Sequence, residues 1–342
     1  MDSARSFRHG VQGPRLRDVA EAAGVSVATA SKALNGRQDV SVATRDRVLQ
    51  ASHRLSFRPN RAAQQLQGAP SGTVGLIAND LDGRFSIPIL MGAEDGFGTE
   101  SVSVFLCDAR GDLIRERHHL ESMLARGVDG FIFVGTRTDP RRPLPLDLPV
   151  PAVHVYAPGS DPDQPAFVPD NVDAGRKAVR HLLDLGRENI ALISGDPTYA
   201  ATADREIGIQ EVLEQAGKRL VMPPRVGEWS EAWGRRATRE LLQTGAPIDG
   251  VICGNDQIAR GAIEALARAG VRVPEDIAVV GHDNWQLLVT ECSPQITSVD
   301  MRYRDLGALA SQSLLRMMGG ATESGITTLP GSLVVRESTL GS

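Results

Sequence analysis

Residues 15–67 read RLRDVAEAAGVSVATASKALNGRQDVSVATRDRVLQASHRLSFRPNRAAQQLQ, and the rest of the chain is organised around them. Short helical patterns alternate with turn residues: Leu16 to Ala23, then Gly24-Val25-Ser26, then Val27 to Leu34, then Asn35-Gly36, then a third run opening at Ser41. Gly24 can take the positive φ that stops a helix sharply. Ser26 can cap the next helix by accepting a hydrogen bond from an orphan N–H. Val19, Ala20, Ala23, Val25, Ala30 and Leu34 recur at helical spacing and can share one small core. The second helix then leaves Val27, Ala28, Thr29, Ser31, Lys32 and Asn35 facing outward. Small and hydrogen-bonding side chains of this kind meet base edges from the N-terminal part of a recognition helix. The spacing predicts a helix-turn-helix, a pattern that by itself fits a DNA reader and a plain helical module alike.

Charge separates the two. Residues 1–68 contain eleven Arg and Lys against five Asp and Glu, a net of +6 in a chain whose total is −5, so residues 69–342 carry −11. A basic head on an acidic body is the footprint of nucleic-acid contact confined to one end. At 342 residues the chain suits two or three domains. It has no apolar run of membrane-spanning length, and its first residues, MDSARSFRHGVQGPR, lack the apolar segment of a signal peptide. Cys107, Cys253 and Cys292 are far apart and without CxxC spacing, which argues against disulfides or zinc and for a reducing cytoplasm.

The segments DVAEAAGVSVATASKALNG, VSVATRDRV and RPNRAAQQL closely resemble the DNA-binding headpiece of the LacI/GalR family of bacterial transcription regulators. ALISGD with Arg205, CGNDQIARGAIEALARAGVRVPEDIAVVGHDN, ITSVDMRYRDLG and LVVRES resemble the same family's effector domain, so the likeness spans about residues 15–338. It implies a regulator, most often a repressor, that binds near-palindromic double-stranded operator DNA as a homodimer. A small polar effector, such as a sugar, would control operator affinity. The implied fold class is α/β: a helix-turn-helix headpiece followed by a two-lobed effector domain of the periplasmic-binding-protein type with parallel sheets.

Residues 1–14 hold no apolar period and are expected to form a disordered leader, followed by the helix-turn-helix at 15–58 and a hinge and linker at 59–70. The family usually places Thr where this chain has Arg15, so only the Asp18 half of a capping box is expected. Ser41 is a good N-cap for the third helix; by resemblance Ser41 and Thr44 lie against phosphates, contacts that position without carrying sequence information. Base readout falls by resemblance to Val27, Ala28 and Lys32. Most members have Arg at the last of these, and Lys lacks its planar fork. Asn60 can cap a short helix over Arg61 to Gln67, which the resemblance identifies as the hinge helix, with Leu66 as its minor-groove wedge. Read without the resemblance, it is an ordinary linker with a frayed turn.

From Thr73 strands and helices alternate. TVGLIAND, VSVFLCD, GFIFVG and PAVHVY read as buried strands with helices at about 86–98 and 113–126 between them. The theme repeats in NIALISGD, RVGEW, GVICGND and IAVVGHD, with helices at about 202–216, 230–243 and 256–269. Helical crossovers imply parallel sheets. Residues 71–342 are therefore read as two similar lobes, the first about 71–169 and 300–328, the second about 170–298 and 329–342, with crossings near Asp170-Asn171, Ile296–Asp300 and Leu329-Pro330.

In open parallel sheets ligands bind beyond the carboxyl ends of strands. The candidates there are Asp80, Phe85, Tyr156, Arg205, Trp229, Asn255 with its neighbour Asp256, and Asp283. Asn255 and Asp283 can equally be caps or turn formers, and Trp229 can be core. The resemblance makes Arg205, Asn255 and Asp283 hydrogen-bond partners of effector hydroxyls and Trp229 a stacking plate. Two positions depart from the family pattern, Tyr156 where sugar binders often have Asp and Met301 where many have Gln. No catalytic motif is present: GxSxG, HExxH, a Walker loop and GxGxxG are all absent, and the adjacent His118 and His119 cannot both face one metal from a helix. The expectation is a non-enzyme with no cofactor and no metal. The alternatives are a solute-binding protein of periplasmic type, or a DNA-binding regulator that needs no effector.

Overall fold

A computed structural model describes residues 14–34, 39–57, 70–81, 84–98 and 102–340. The leader, Asn35, and the hinge segment with Asn60 and Leu66 lie outside the described residues. The chain divides into two compact units, residues 1–71 and 72–342.

The first unit is built from α1 (Leu16–Ala23), α2 (Val27–Leu34) and α3 (Val42–Arg54). Val19, Ala20, Ala30, Ala33, Val48 and Ala51 are buried among them, with Val25 and Leu34 half-buried at the margin. Alanine dominates because three short helices must approach closely to enclose any core at all. Gly24 ends α1 at φ 65°, ψ 39°, and the Thr29 N–H donates to Ser26 Oγ at 3.1 Å. Half of the α1 capping box is made: the Arg15 N–H donates to the Asp18 carboxylate at 2.7 Å. The Asp18 N–H turns to the Arg15 backbone carbonyl at 2.9 Å, since a guanidinium offers no acceptor.

The second unit contains two six-stranded sheets. The first is formed by β1 (Thr73–Ala78), β2 (Ser103–Asp108), β3 (Gly130–Val134), β4 (Ala152–Val155), β5 (Ala166–Asp170) and β11 (Ile326–Pro330), in the order β2-β1-β3-β4-β5-β11. The second is formed by β6 (Ile190–Ser194), β7 (Arg225–Val226), β8 (Gly250–Cys253), β9 (Ala278–His282), β10 (Thr297–Asp300) and β12 (Ser332–Val334), in the order β7-β6-β8-β9-β10-β12. The two orders are the same. Each follows the doubly wound pattern in which the chain reverses its direction of growth between the first and third strands of the sheet, opening a crevice at their carboxyl ends. All pairings are parallel except β10 with β12. That pairing is the exception in otherwise parallel sheets: β12 follows β11 after the single residue Gly331, with no helix to carry the chain back.

The connecting helices are α4 (Ser86–Phe97), α5 (Leu113–Leu124), α6 (Asn171–Asp184), α7 (Ala200–Gln215), α8 (Glu231–Gln243), α9 (Asp256–Arg268) and α11 (Tyr303–Met318), with one-turn helices α10 (Gln286–Val289) and α12 (Glu337–Leu340). Glycines set the spacing of the pairs that matter for the cleft. A Cβ on Gly175 of α6 would lie 2.1 Å from the Arg205 carbonyl oxygen of α7, and one on Gly307 of α11 would lie 2.0 Å from that of Ile89 on α4. Neither approach admits any other residue, so Arg205 and Tyr303 are held in register by backbone contact. Cys253 is buried, with its thiol pushed up by burial, while Cys107 and Cys292 are half-buried and unpaired. Among the described residues no helix is long and apolar enough to cross a membrane, and no group of His, Cys, Asp and Glu could hold a metal ion.

Candidate functional site

On α2, Val27, Ala28 and Lys32 are exposed while Thr29 and Ser31 are half-buried. Val27 is 44% exposed, an apolar side chain left in water at the first turn of a helix whose opposite side is core. Thr29 shares a hydrogen bond with Ser26 through their hydroxyls at 2.8 Å. Lys32 is engaged within the unit: its Nζ donates to Asp39 at 2.6 Å, with both side chains 55% exposed. Nothing in the local residue pattern marks this pair. Ser41 caps α3 by accepting from the Thr44 N–H at 3.3 Å, and its hydroxyl donates to Thr44 Oγ1 at 2.9 Å.

In the second unit the candidates separate into three groups. Phe85, Tyr156, Arg205 and Asp283 come together. Asp283 follows β9 at φ 96°, a left-handed conformation that bulky residues rarely hold, and this turns its carboxylate into a buried polar cluster. Tyr303 donates to Asp283 Oδ1 at 2.7 Å. Arg205 Nη2 lies 3.8 Å from the same oxygen, and Arg84, from the loop that follows β1 in the other sheet, reaches Oδ2 at 2.5 Å. Phe85 stacks on Tyr156 at 4.2 Å, with Tyr303 edge-on to both. Arg205 is fixed from behind: Nε donates to Asn171 Oδ1 at 2.9 Å, and Nη1 donates to the Gly254 carbonyl.

Burial alone would raise the Asp283 pKa, but Arg84 and Arg205 outweigh it and hold the carboxyl below its ordinary range. Its neighbour Asp256 shows the opposite balance. Burial and the charge of Asp283 push it up to about 8, although it accepts from Ser298 at 2.6 Å and from the Trp285 N–H at 2.7 Å. At neutral pH the pair therefore holds one charged carboxylate and one that is largely protonated.

Trp229 stands apart, over the reversal point of the second sheet. A Cβ on Gly195 would meet its ring at 2.1 Å, Tyr199 lies 5.7 Å away, and the buried indole Nε1 has no partner. Asn255 takes its local role: its Oδ1 caps α9 by accepting from the Ile258 N–H at 2.8 Å. Asp80 is half-buried and its backbone carbonyl accepts from Ser86 at 2.6 Å. Tyr156, at φ 72°, fills with its ring the place where a carboxylate would have offered acceptors. Met301 is fully buried and presents no hydrogen-bonding group.

Sequence reasoning missed Arg84, Asn171 and Tyr303. Arg84 sits in a Gly-Arg-Phe turn that reads as solvent-facing. Asp256 is a strand-end candidate only as the neighbour of Asn255, and its adjacency to Ser298 and Asp283 is visible only in three dimensions.

Comparison with known proteins places both units. Residues 15–60 match the profile of bacterial regulatory proteins, lacI family, and residues 179–339 match the periplasmic binding protein-like domain. The chain is 32% identical to the ribose operon repressor of Halalkalibacterium halodurans, covering 95% of this chain and 97% of that one. It is 33% identical to the HTH-type transcriptional regulator CelR of Thermobifida fusca, covering 95% and 98%. Among solved structures, the lac repressor dimer bound to operator and the anti-inducer ONPF superposes with a TM-score of 0.76 at 29% identity, over 96% of this chain and all of that one. The CelR–cellobiose complex gives 0.67 at 28% identity, over 95% and 99%.

Proposed function

This chain belongs to the lacI family of bacterial regulatory proteins, a DNA-binding transcriptional regulator with an effector-binding domain, and from that premise we propose how its own residues do the work. It acts in the cytoplasm as a homodimeric repressor without enzymatic activity. Two copies of α2 enter successive major grooves of a near-palindromic operator, with Val27 and Ala28 against thymine methyls and Lys32 on a base acceptor. Asn35, Ser41 and Thr44 contact DNA beside them, while Asn60 and Leu66 belong to the hinge that engages the operator centre.

A small polyhydroxylated effector enters between the sheets, taking Arg205 and Asp283 as hydrogen-bond partners and Trp229 as a plate with an unspent indole donor. Asp80 and Asn255 border the same crevice. Binding there shifts the balance between operator-competent and operator-incompetent dimers by differential affinity.

The observation that carries this reading is the contact between Arg84 and Asp283. It links the loop after β1 of one sheet to the residue after β9 of the other at 2.5 Å, so any ligand that reaches Asp283 must displace or rearrange the link between the lobes. The same contact favours a second reading in which Arg84 fills the crevice permanently and the regulator needs no effector.

Operator fragments selected from the source genome, titrated by fluorescence anisotropy with and without a panel of sugars, test both. The first reading expects specific binding that falls steeply with salt and that at least one sugar changes by tenfold or more. Under the second, no sugar acts on the native protein, and Arg84→Ala does not create a response.

A further inference from the structure

The two sheets also touch away from the Arg84–Asp283 contact. The loop after β3 runs Thr136-Arg137-Thr138-Asp139-Pro140, and it reaches the start of α7, the helix that follows β6 of the other sheet. We propose that Asp139 and Arg137 form a latch that holds the two lobes together by completing the first turn of α7 from across the crevice.

α7 lacks a cap of its own. It is 16 residues long, and its N-cap residue is Tyr199, whose side chain makes no capping hydrogen bond. A phenol held out on a rigid ring cannot fold back to the first amides of its own helix, as the short side chains of Ser, Thr, Asp and Asn do. Ser41, Asp112, Asp170, Ser230 and Asn255 each cap the helix they begin. For α7 the acceptor comes from the other sheet: the Ala200 N–H donates to Asp139, with both carboxylate oxygens 3.3 Å from the nitrogen. A carboxylate in that place also sits at the positive end of the helix dipole.

Arg137 adds a second strand to the link. Its guanidinium lies 4.1 Å from the centroid of the Tyr199 ring, close enough for the cation to be drawn to the ring face. Its charge is felt further along the same turn: the Asp196 carboxyl, held below its ordinary range mainly by hydrogen bonds from Thr198, is lowered further by Arg137.

Parting the lobes therefore uncaps α7 at Ala200 and strips the Tyr199 ring of its cation. The first turn of the helix that carries Arg205 is complete only while the lobes are together. An effector then enters and leaves only as fast as the latch lets the lobes part, so breaking the latch should speed association and dissociation by the same factor and leave affinity unchanged. That corollary rests on the crevice being the effector's entrance, as proposed above; the latch itself does not.

Hydrogen–deuterium exchange of the full-length protein, with neither DNA nor sugar present, tests the latch apart from that reading. Asp139→Ala should speed exchange about fivefold, the scale of a lost cap, in segment 199–204. Exchange should rise as well in segments 84–86 and 282–286, which the Arg84–Asp283 contact joins between the lobes. Adding Tyr199→Ser gives α7 a cap of its own and takes away the ring beneath Arg137. The double variant should regain protection at 199–204 while 84–86 and 282–286 stay fast. Unchanged exchange at 199–204 in Asp139→Ala overturns the proposal, since the cap would then not be Asp139. A change confined to 199–204 overturns it too, and so does recovery of all three segments in the double variant, because Asp139 would then be a helix cap and no latch.

Discussion

Two ion pairs of nearly equal length, one in each compact unit of the chain, do opposite things. Arg84 meets Asp283 at 2.5 Å with side chains 17% and 1% exposed, and Lys32 meets Asp39 at 2.6 Å with both 55% exposed. In the cleft, charges withdrawn from water interact strongly, and removing the carboxylate strands the arginine. On α2, the helix proposed to read DNA, water and salt screen the same geometry, and the pair contributes about 0–1 kcal/mol. The buried pair is therefore suited to hold a conformation until something better arrives, and the exposed one to let go whenever a phosphate or base edge competes.

The largest test of that contrast removes the buried carboxylate. Asp283→Ala leaves Arg84 and Arg205 without their shared counter-charge and Tyr303 without its acceptor. It should lower stability by about 3–5 kcal/mol, as breaking a buried pair does, read from urea unfolding. A cost under about 1 kcal/mol would mean that water already reaches the cluster and that the contrast is empty. Arg84→Met should cost less, about 2 kcal/mol on the scale of a charge-assisted hydrogen bond, because Asp283 keeps Arg205 and Tyr303. The same variant should raise effector affinity by freeing Asp283.

The buried side also governs the response to pH. His154 and His282 are pushed down to about 4, mainly by burial. Between the ordinary histidine pKa and 4 only the unfolded chain takes up those protons, so stability is lost as pH falls through that range. Asp256 is held at about 8. Between the ordinary carboxylate pKa and 8 only the folded chain keeps that proton, so stability is lost as pH rises. Two histidines outweigh one carboxyl on the acid side, and above the ordinary histidine pKa the carboxyl acts alone. Stability should peak near pH 6.5 and fall toward pH 8 by about 1 kcal/mol per unit. Asp256→Asn, which mimics the protonated acid, should remove the alkaline decline and steepen the loss on the acid side, where the carboxyl no longer opposes the histidines. Urea midpoints at pH 5, 6.5 and 8 give the answer, and a decline that persists in the variant would assign it to another group.

What could be read from the sequence followed the range of the interactions. Gly24, Ser26 and Ser41 act on neighbours within a few residues, so the turn and both caps were legible, as was the alanine-rich core at helical spacing. The strands that end at Ala78, Val134, Ser194, Cys253 and His282 were legible as apolar runs. The strands β5, β10, β11 and β12 were not, because β5 and β11 contain proline and β10 and β12 carry no apolar run of their own. The site was half legible. Arg205 and Asp283 sit where strand ends and family likeness direct attention, but Arg84 and Tyr303 reach Asp283 from distant segments, and nothing local marks them. Asn255 shows the reverse error: a site candidate by likeness, it spends its acceptor on the helix it begins.

The smallest expected effect belongs to the exposed pair, and it separates stability from function. Asp39→Ala removes the partner of Lys32 at a cost to folding of no more than about 1 kcal/mol. It also removes a negative charge from beside the helix proposed to meet the operator. Operator binding should therefore strengthen by a few-fold, with a larger gain at low salt than at high salt, because counterion release and screening both act on that charge. Lys32→Ala should weaken operator binding in the wild-type background and again in the Asp39→Ala background, more so in the second, where the ammonium is no longer shared. Anisotropy titrations at two salt concentrations measure all four corners of that cycle. If Asp39→Ala instead weakened binding, the carboxylate would be acting to aim Lys32 rather than to hold it back, and the exposed pair would have to be reclassed with the buried one as a structural contact.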